Sequence, residues 1–308
     1  MIKDIPDSKD FRTVGINFFN LAWDSIIDLL LVFNIYEEAE IVDKEMEEHY
    51  WKASQDKIKT SYILVQQGVE MLLKGRIAEV SPYLLLSRNV AEWPKGCASQ
   101  SICFSKFKMI DAQDLIKCYN TVREQKLSNN FVNKFTETRK SRNILIHTID
   151  KDLAIKVEEV LDLILEFIFE LFGEKKWAEF RVKYLEENCS GIREDYEAMK
   201  ASLVEEFTEI VEVLSPAKLK KHFNFDKKQR SYVCLNCYYE GSKYLSKEPY
   251  FAQLSPNKPS ATQVYCFLCN TTSDVTRCSC NGSLKQKCKG NVIDKKENIC
   301  LSCREEQS

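Results

Sequence analysis

Arg142, Asn143 and His147 lie within six residues of one another, separated only by Ile144, Leu145 and Ile146. They bring together a permanent cation, an amide and an imidazole. Imidazole can take a proton from a ribose 2′-hydroxyl or return one to a leaving 5′-oxygen. Guanidinium can hold a phosphodiester in its fork and stabilise the charge that grows there. The amide can orient either partner. The chain contains just three histidines, which gives weight to finding one in this setting. On a helix, Asn143 and His147 fall one turn apart, and Arg142 sits about 100° around from Asn143. The three apolar residues between them are expected to face packing. The structural alternative is a helix whose His147 satisfies a core hydrogen bond and whose Arg142 is ordinary surface charge.

Thiols form the second chemical feature. Nine of the thirteen cysteines lie beyond residue 216. Cys234 and Cys237 form one Cys-x-x-Cys pair, Cys266 and Cys269 another, with 28 residues between them. Two such pairs can complete one tetrahedral site of four thiolates, which is coordinatively closed and therefore structural. A second cluster holds Cys278, Cys280, Cys288, Cys300 and Cys303. The pair Cys300 and Cys303 needs two further ligands. Cys280 and Cys288 are the choice made here, with Cys278 as the alternative. One or two structural zinc ions are expected, with interleaved ligation and iron–sulfur chemistry as open alternatives. A deaminase-type zinc site, which needs a His-x-Glu partner motif, is absent.

The basic run leading into the cysteines holds Lys218, Lys220, Lys221, His222, Lys227, Lys228 and Arg230, interleaved with Phe223, Phe225 and Tyr232. Cations contact phosphates and aromatic rings stack on bases. Lys220, Lys221, Lys227, Lys228 and Arg230 are therefore the candidate nucleic-acid contacts, with Lys285, Lys287 and Lys289 as a second cluster. A solvated linker is the alternative.

Helical elements must position these groups. Apolar residues recur at helical spacing over 13–34 and again over 50–78, until Ser81 and Pro82 interrupt. Asp111 can cap a short helix ending near Val122. Ser128 to Asn130 open the helix that carries Arg142 and His147. Asp150 is expected to cap the apolar helix beginning near Leu153, and Gly173 to interrupt it. An amphipathic helix follows over 193–214, suited to packing on the bundle or pairing with its copy. Pro216 is expected to end the helical part. Three segments result: a helical bundle over 1–190, a connecting helix over 191–215, and a cysteine-rich region over 216–308, rich in β and loop structure.

The Arg-polar-x-x-x-His pattern in an acidic helical bundle resembles the HEPN superfamily. Residues 68–76 add to this, because Glu70 and Lys74 look like the Glu and Lys one turn apart on a HEPN helix. The resemblance spans roughly residues 10–190 and omits the cysteine region. It implies an antiparallel helical bundle with the motif near the start of its penultimate helix. It further implies a metal-independent endoribonuclease of the kind found in toxins and bacterial anti-phage defence, with a composite active site in a homodimer. Arg142, Asn143 and His147 would be its catalytic residues, and Glu70 and Lys74 its supporting ones. A trigger or inhibitor protein is a further expected partner. The rival expectation is a zinc-ribbon nucleic-acid adaptor whose bundle only dimerises.

Composition sets the frame. At 308 residues two domains are the prior. The N-terminal residues lack a signal-peptide pattern. The apolar run over 26–36 is expected to be too short and too polar to span a bilayer. A cytoplasmic protein without membrane contact is expected, its paired cysteines reduced. The net charge of −2 divides into +8 beyond residue 216 and −10 before it. Two four-thiolate zinc sites would lower the former to about +4. Any nucleic acid must therefore be held by a local patch rather than by the field of the whole protein.

Overall fold

A computed structural model describes residues 1–148, 153–174, 176–241, 243–282 and 288–307. The expected cap Asp150 and the lysines Lys285 and Lys287 lie outside the described residues. The chain is mainly helical, with strands concentrated towards its C-terminal end. It divides into two compact units, Met1–Gly173 and Glu174–Ser308.

Unit 1 is built on helices α1 (Ser8–Glu38), α2 (Lys44–Ala53), α3 (Gln55–Ala78), α4 (Ala112–Val122), α5 (Asn129–His147) and α6 (Val157–Phe172). Strand β1 (Ile2–Lys3) pairs in parallel with β2 (Ile102–Cys103). Asp7 starts α1 by accepting from the amides of Lys9 and Asp10, while Asp10 accepts from the amide of Asp7. This capping box satisfies donors that a helix start leaves free. Helices α1 and α3 approach closely because glycines face each other. A Cβ on Gly68 would lie 2.4 Å from Phe19 Cδ1, and one on Gly15 would lie 2.9 Å from the Gly68 carbonyl oxygen. Phe19, Trp23, Ile26, Val65, Val69 and Leu73 are fully buried. Each large apolar side chain buried in this way contributes about 1.5–3 kcal/mol.

Helix α1 is longer than the apolar run suggests. It spans 31 residues, and an 18-residue window of mean hydropathy 1.5 makes it long and apolar enough to cross a membrane by length and composition. The apolar run over 26–36 is thus one part of a longer helix. Its apolar face lies partly inside the bundle, with Ala22, Trp23 and Ile26 wholly buried. The long helix expected over 50–78 is in fact two, α2 and α3, parted at the buried Ser54.

Polar contacts fix the directions of α3, α5 and α6. Glu170 of α6 accepts from the amide (2.7 Å) and hydroxyl (3.0 Å) of Ser128 at the start of α5. Further along, Asn130 donates to Glu166, and Lys134 pairs with Asp162 at 2.7 Å. Carboxylates spaced one turn apart on α6 thus meet successive turns of α5, which runs antiparallel to it. At the start of α3, the Gln55 amide both donates to the Ile155 carbonyl and accepts from the Ile155 amide, each at 3.1 Å. At its far end Arg76 lies over the Phe172 ring. Helices α3 and α6 therefore run parallel, and α5 runs antiparallel to both. Helix α6 begins at Val157 with Lys156 at its N-cap, later than its apolar pattern suggests.

Unit 2 contains α7 (Lys176–Asn188), α8 (Arg193–Val213), α9 (Pro216–Phe223) and α10 (Leu235–Gly241). Its five-stranded antiparallel sheet runs in sequence order: β3 (Ser231–Tyr232), β4 (Ala252–Leu254), β5 (Gln263–Cys266), β6 (Thr271–Thr276) and β7 (Ile293–Asp294). The expected boundary at residue 190 is displaced, because α7 and α8 both fall within this unit. Nor does Pro216 end the helical part. It opens α9, where its missing N–H costs nothing and Ser215 caps the turn. Phe267 is the hub of the core, with the rings of Phe223, Phe225 and Phe251 each centred 5.3 Å away. Arg181 of α7 makes a bidentate pair with Glu206 of α8, both almost wholly buried.

Candidate functional site

In α5 the buried residues Phe131, Phe135 and Thr138 follow one another at helical spacing. Arg142 is the next member of that stripe, so its side chain starts on the packing face. It is half-buried, and its Nη1 donates to Asn143 Oδ1 at 3.1 Å. Its Nε is buried with no hydrogen-bond partner among the described residues. A donor left in that state costs about 1–3 kcal/mol, so the arrangement needs a reason. His147 is the last residue of α5 and is exposed. Ile144 and Ile146 are 37% and 45% exposed. The imidazole is therefore outside rather than in a core hydrogen bond, and the guanidinium is partly inside. The expectation that Ile144 and Ile146 pack inward is also corrected. The motif occupies the C-terminal end of its helix rather than the start.

Glu70 and Lys74 lie elsewhere. Glu70 accepts from Gln66 at 3.1 Å in the middle of α3. Burial pulls the Lys74 ammonium below the ordinary lysine range, countered in part by Glu70. Because α5 runs antiparallel to α3, its C-terminal end lies level with Gln55. Glu70 is fifteen residues further along α3, a rise of about 22 Å. The supporting role expected of this pair is not available to them within one chain. Spacing along the sequence carries no information about which ends of two helices meet, and so could not reveal this.

The cysteines do converge. Cys234, Cys237, Cys266 and Cys269 form one cluster and Cys280, Cys288, Cys300 and Cys303 another, the four sulfurs of each lying within 4.8 Å of one another. Cys278 is exposed and outside both. Within the first cluster, Cys234 and Cys269 sulfurs are 3.6 Å apart and those of Cys237 and Cys266 3.9 Å. The second repeats these values for Cys280 with Cys303 and Cys288 with Cys300. Disulfides require about 2.05 Å. Four thiolates at about 2.3 Å from a central ion would be about 3.8 Å apart in a tetrahedron. Both clusters are geometrically suited to a metal ion.

Local structure makes these convergences. Cys234 immediately precedes α10 and Cys237 lies in its first turn. Cys266 ends β5, and Asn270 takes a left-handed φ of 55° in the turn that brings Cys269 back. The Thr271 hydroxyl lies 2.8 Å from the Cys269 sulfur. In the second cluster the Gly290 amide donates to the Cys288 sulfur at 3.2 Å. Gly290 has to be glycine here, since a Cβ would lie 2.8 Å from the Cys300 sulfur. Hydrogen bonds from neighbouring thiols hold Cys234 and Cys269 below their usual values, whereas burial raises the Cys266 thiol well above its own and Cys303 to about 12. A cation is what would hold such sulfurs as thiolates near neutral pH.

The expected nucleic-acid surface is altered. Phe223, Phe225 and Tyr232 are 1%, 4% and 3% exposed, so they are core and cannot stack on bases. Lys220 is paired with Asp226, Lys227 donates to the Glu212 carbonyl, and Arg230 donates to Ser302 while lying over Tyr232. Lys221 is at the C-terminal end of α9, where its charge suits the helix dipole. Lys228 is exposed. Tertiary placement of the aromatics is what the residue pattern concealed.

No family model matches the chain, no curated protein matches it, and no solved structure matches its fold.

Proposed function

We propose that unit 1 is a metal-independent endoribonuclease of the HEPN type, acting as a homodimer. The observation that carries this reading is Arg142, half-buried, its Nε without a partner among the described residues and its Nη1 bonded to Asn143, on the same helix end as the exposed His147. In the proposed reaction the ribose 2′-oxygen attacks phosphorus while imidazole takes its proton. The bond from phosphorus to the 5′-oxygen breaks, and that oxygen gains a proton. The products are a 2′,3′-cyclic phosphate and a 5′-hydroxyl end. Arg142 stabilises the five-coordinate phosphorus and Asn143 positions the phosphate. One chain supplies one such histidine. A second copy, seated on the exposed Ile144 and Ile146, supplies the other proton-transfer group.

In the same reading, each four-cysteine cluster holds a structural zinc ion. The four thiolates close the coordination sphere and leave no position for substrate, so zinc would contribute folding energy rather than chemistry. Unit 2 would recruit RNA through exposed lysines such as Lys228, or receive a trigger or inhibitor protein. The family setting is a cytoplasmic toxin or anti-phage effector. Product ends test the mechanism. RNA cleaved by the purified protein should carry 3′ ends that a ligase or polymerase accepts only after the cyclic phosphate is removed. Ends bearing a free 3′-hydroxyl directly would overturn it.

The rival reading, a nucleic-acid adaptor, draws on the two clusters themselves, since small metal-stapled ribbons are frequent binding modules. It predicts RNA or DNA binding by unit 2 with no cleavage by the whole protein.

A further inference from the structure

Helix α2 buries none of its residues in unit 1. It is anchored at one point: the Tyr50 hydroxyl donates to the Leu29 carbonyl at 2.7 Å, and the rings of Tyr50 and Trp51 pack on Phe33 at 5.3 and 5.0 Å. Met46, His49, Tyr50 and Ala53 recur at three and four residues and so form one stripe. That stripe faces an open groove of about 530 Å³, closed on the other side by Phe33, Tyr36, Ile41 and Val42. Ile41 is 53% exposed and Met46 51%. An apolar trough walled by a helix that makes so little use of its own apolar side is an interaction surface.

Its rim decides what fits. Residues 37–53, the segment around the groove, carry seven carboxylates (Glu37, Glu38, Glu40, Asp43, Glu45, Glu47 and Glu48) against Lys44 and Lys52, although Glu48 falls on the side of α2 away from the stripe. Asp43 and Glu45 line the groove itself. Such a rim repels phosphate-bearing surfaces, whether nucleic acid or anionic lipid, and also a second copy of itself. Acids around an apolar trough match a helix with leucine-like residues on one face and lysine or arginine on the other. We infer that the α1–α2 groove docks a cationic amphipathic helix of a partner protein.

The test uses the full-length protein and a fluorescent, amphipathic leucine–lysine peptide of about four helical turns, about 14 residues. Anisotropy at low salt should report saturable binding that weakens as salt rises. Ile41→Asp combined with Met46→Asp should weaken binding about ten-fold or more, roughly 1.4 kcal/mol. This substitution separates docking from general attraction: it adds negative charge, so a purely electrostatic association would tighten. Both positions are exposed, so the fold has little to lose, and an unchanged thermal transition confirms that. Glu45→Gln, which leaves the groove apolar, should weaken binding at low salt and have little effect at high salt. Undiminished binding by the aspartate variant overturns the proposal. So does equal binding of a leucine–glutamate peptide, preference for vesicles containing phosphatidylserine, or loss of self-association as the only effect of the aspartate variant.

Discussion

At the scale of single residues, the account rests on an inversion of what is ordinary. Long cations belong outside and a helix histidine often satisfies a core bond, yet Arg142 begins on the packing stripe of α5 and His147 stands in solvent. Replacing His147 with alanine should lower RNA cleavage by about 10²–10⁴ without changing the thermal transition, because an exposed side chain contributes little to stability. Arg142→Lys keeps the charge and loses the fork. Cleavage should fall almost as far as in Arg142→Ala, which the rate of a single turnover would measure. The buried pair of Arg181 and Glu206 behaves differently: Glu206→Gln removes a buried carboxylate that the desolvated guanidinium holds in a bidentate pair, and should cost about 3–5 kcal/mol in chemical denaturation. The three candidate catalytic residues were legible in the sequence as chemistry. Their burial was not, because helical phase relative to Phe131 and Phe135 counts only once those residues are known to pack.

At the scale of elements, ends of helices matter more than their existence. Most helices of unit 1 follow from apolar periodicity, and Ser128 is the cap that its position suggests, accepting from the Phe131 amide. Direction was not legible. Glu70 and Lys74 share a family-like spacing, yet antiparallel packing of α5 leaves them about 22 and about 28 Å along α3 from Gln55, the level of the Arg142 motif. Likewise Phe223 and Phe225 alternate with lysines in the sequence, but the hub at Phe267 draws both rings inside. The glycine crossing of α1 and α3 offers a test at this scale. Gly68→Ala places a methyl group against Phe19, which is fully buried and has no room to withdraw. Overpacking of this kind should lower stability by about 1–3 kcal/mol, read from chemical denaturation.

At the scale of the whole molecule, the boundary at Gly173 redistributes charge. Unit 1 carries 22 Lys/Arg against 27 Asp/Glu and unit 2 carries 22 against 19. The basic character of the cysteine-rich tail is thus largely offset by the acidic α7 and α8 that fold with it. Any RNA must be held by local groups such as Lys228. The eight cysteines were legible as two quartets because pairs at fixed spacing have few tetrahedral solutions. Their exact partition needed the placement of Cys278 outside both clusters. Metal analysis of the purified protein should give two zinc ions per chain, unchanged by Cys278→Ser and reduced to one by Cys234→Ser or Cys300→Ser. Zinc binding displaces protons from raised thiols, so acidification should release it, and unit 2 should then unfold before unit 1.

The central claim meets its most direct test in RNA cleavage without magnesium. Wild-type protein should cut single-stranded RNA in magnesium-free buffer and leave 2′,3′-cyclic phosphate ends, while folded His147→Ala protein at the same concentration should not. Cleavage that persists undiminished in the variant, or RNA bound by both and cut by neither, would contradict the assignment.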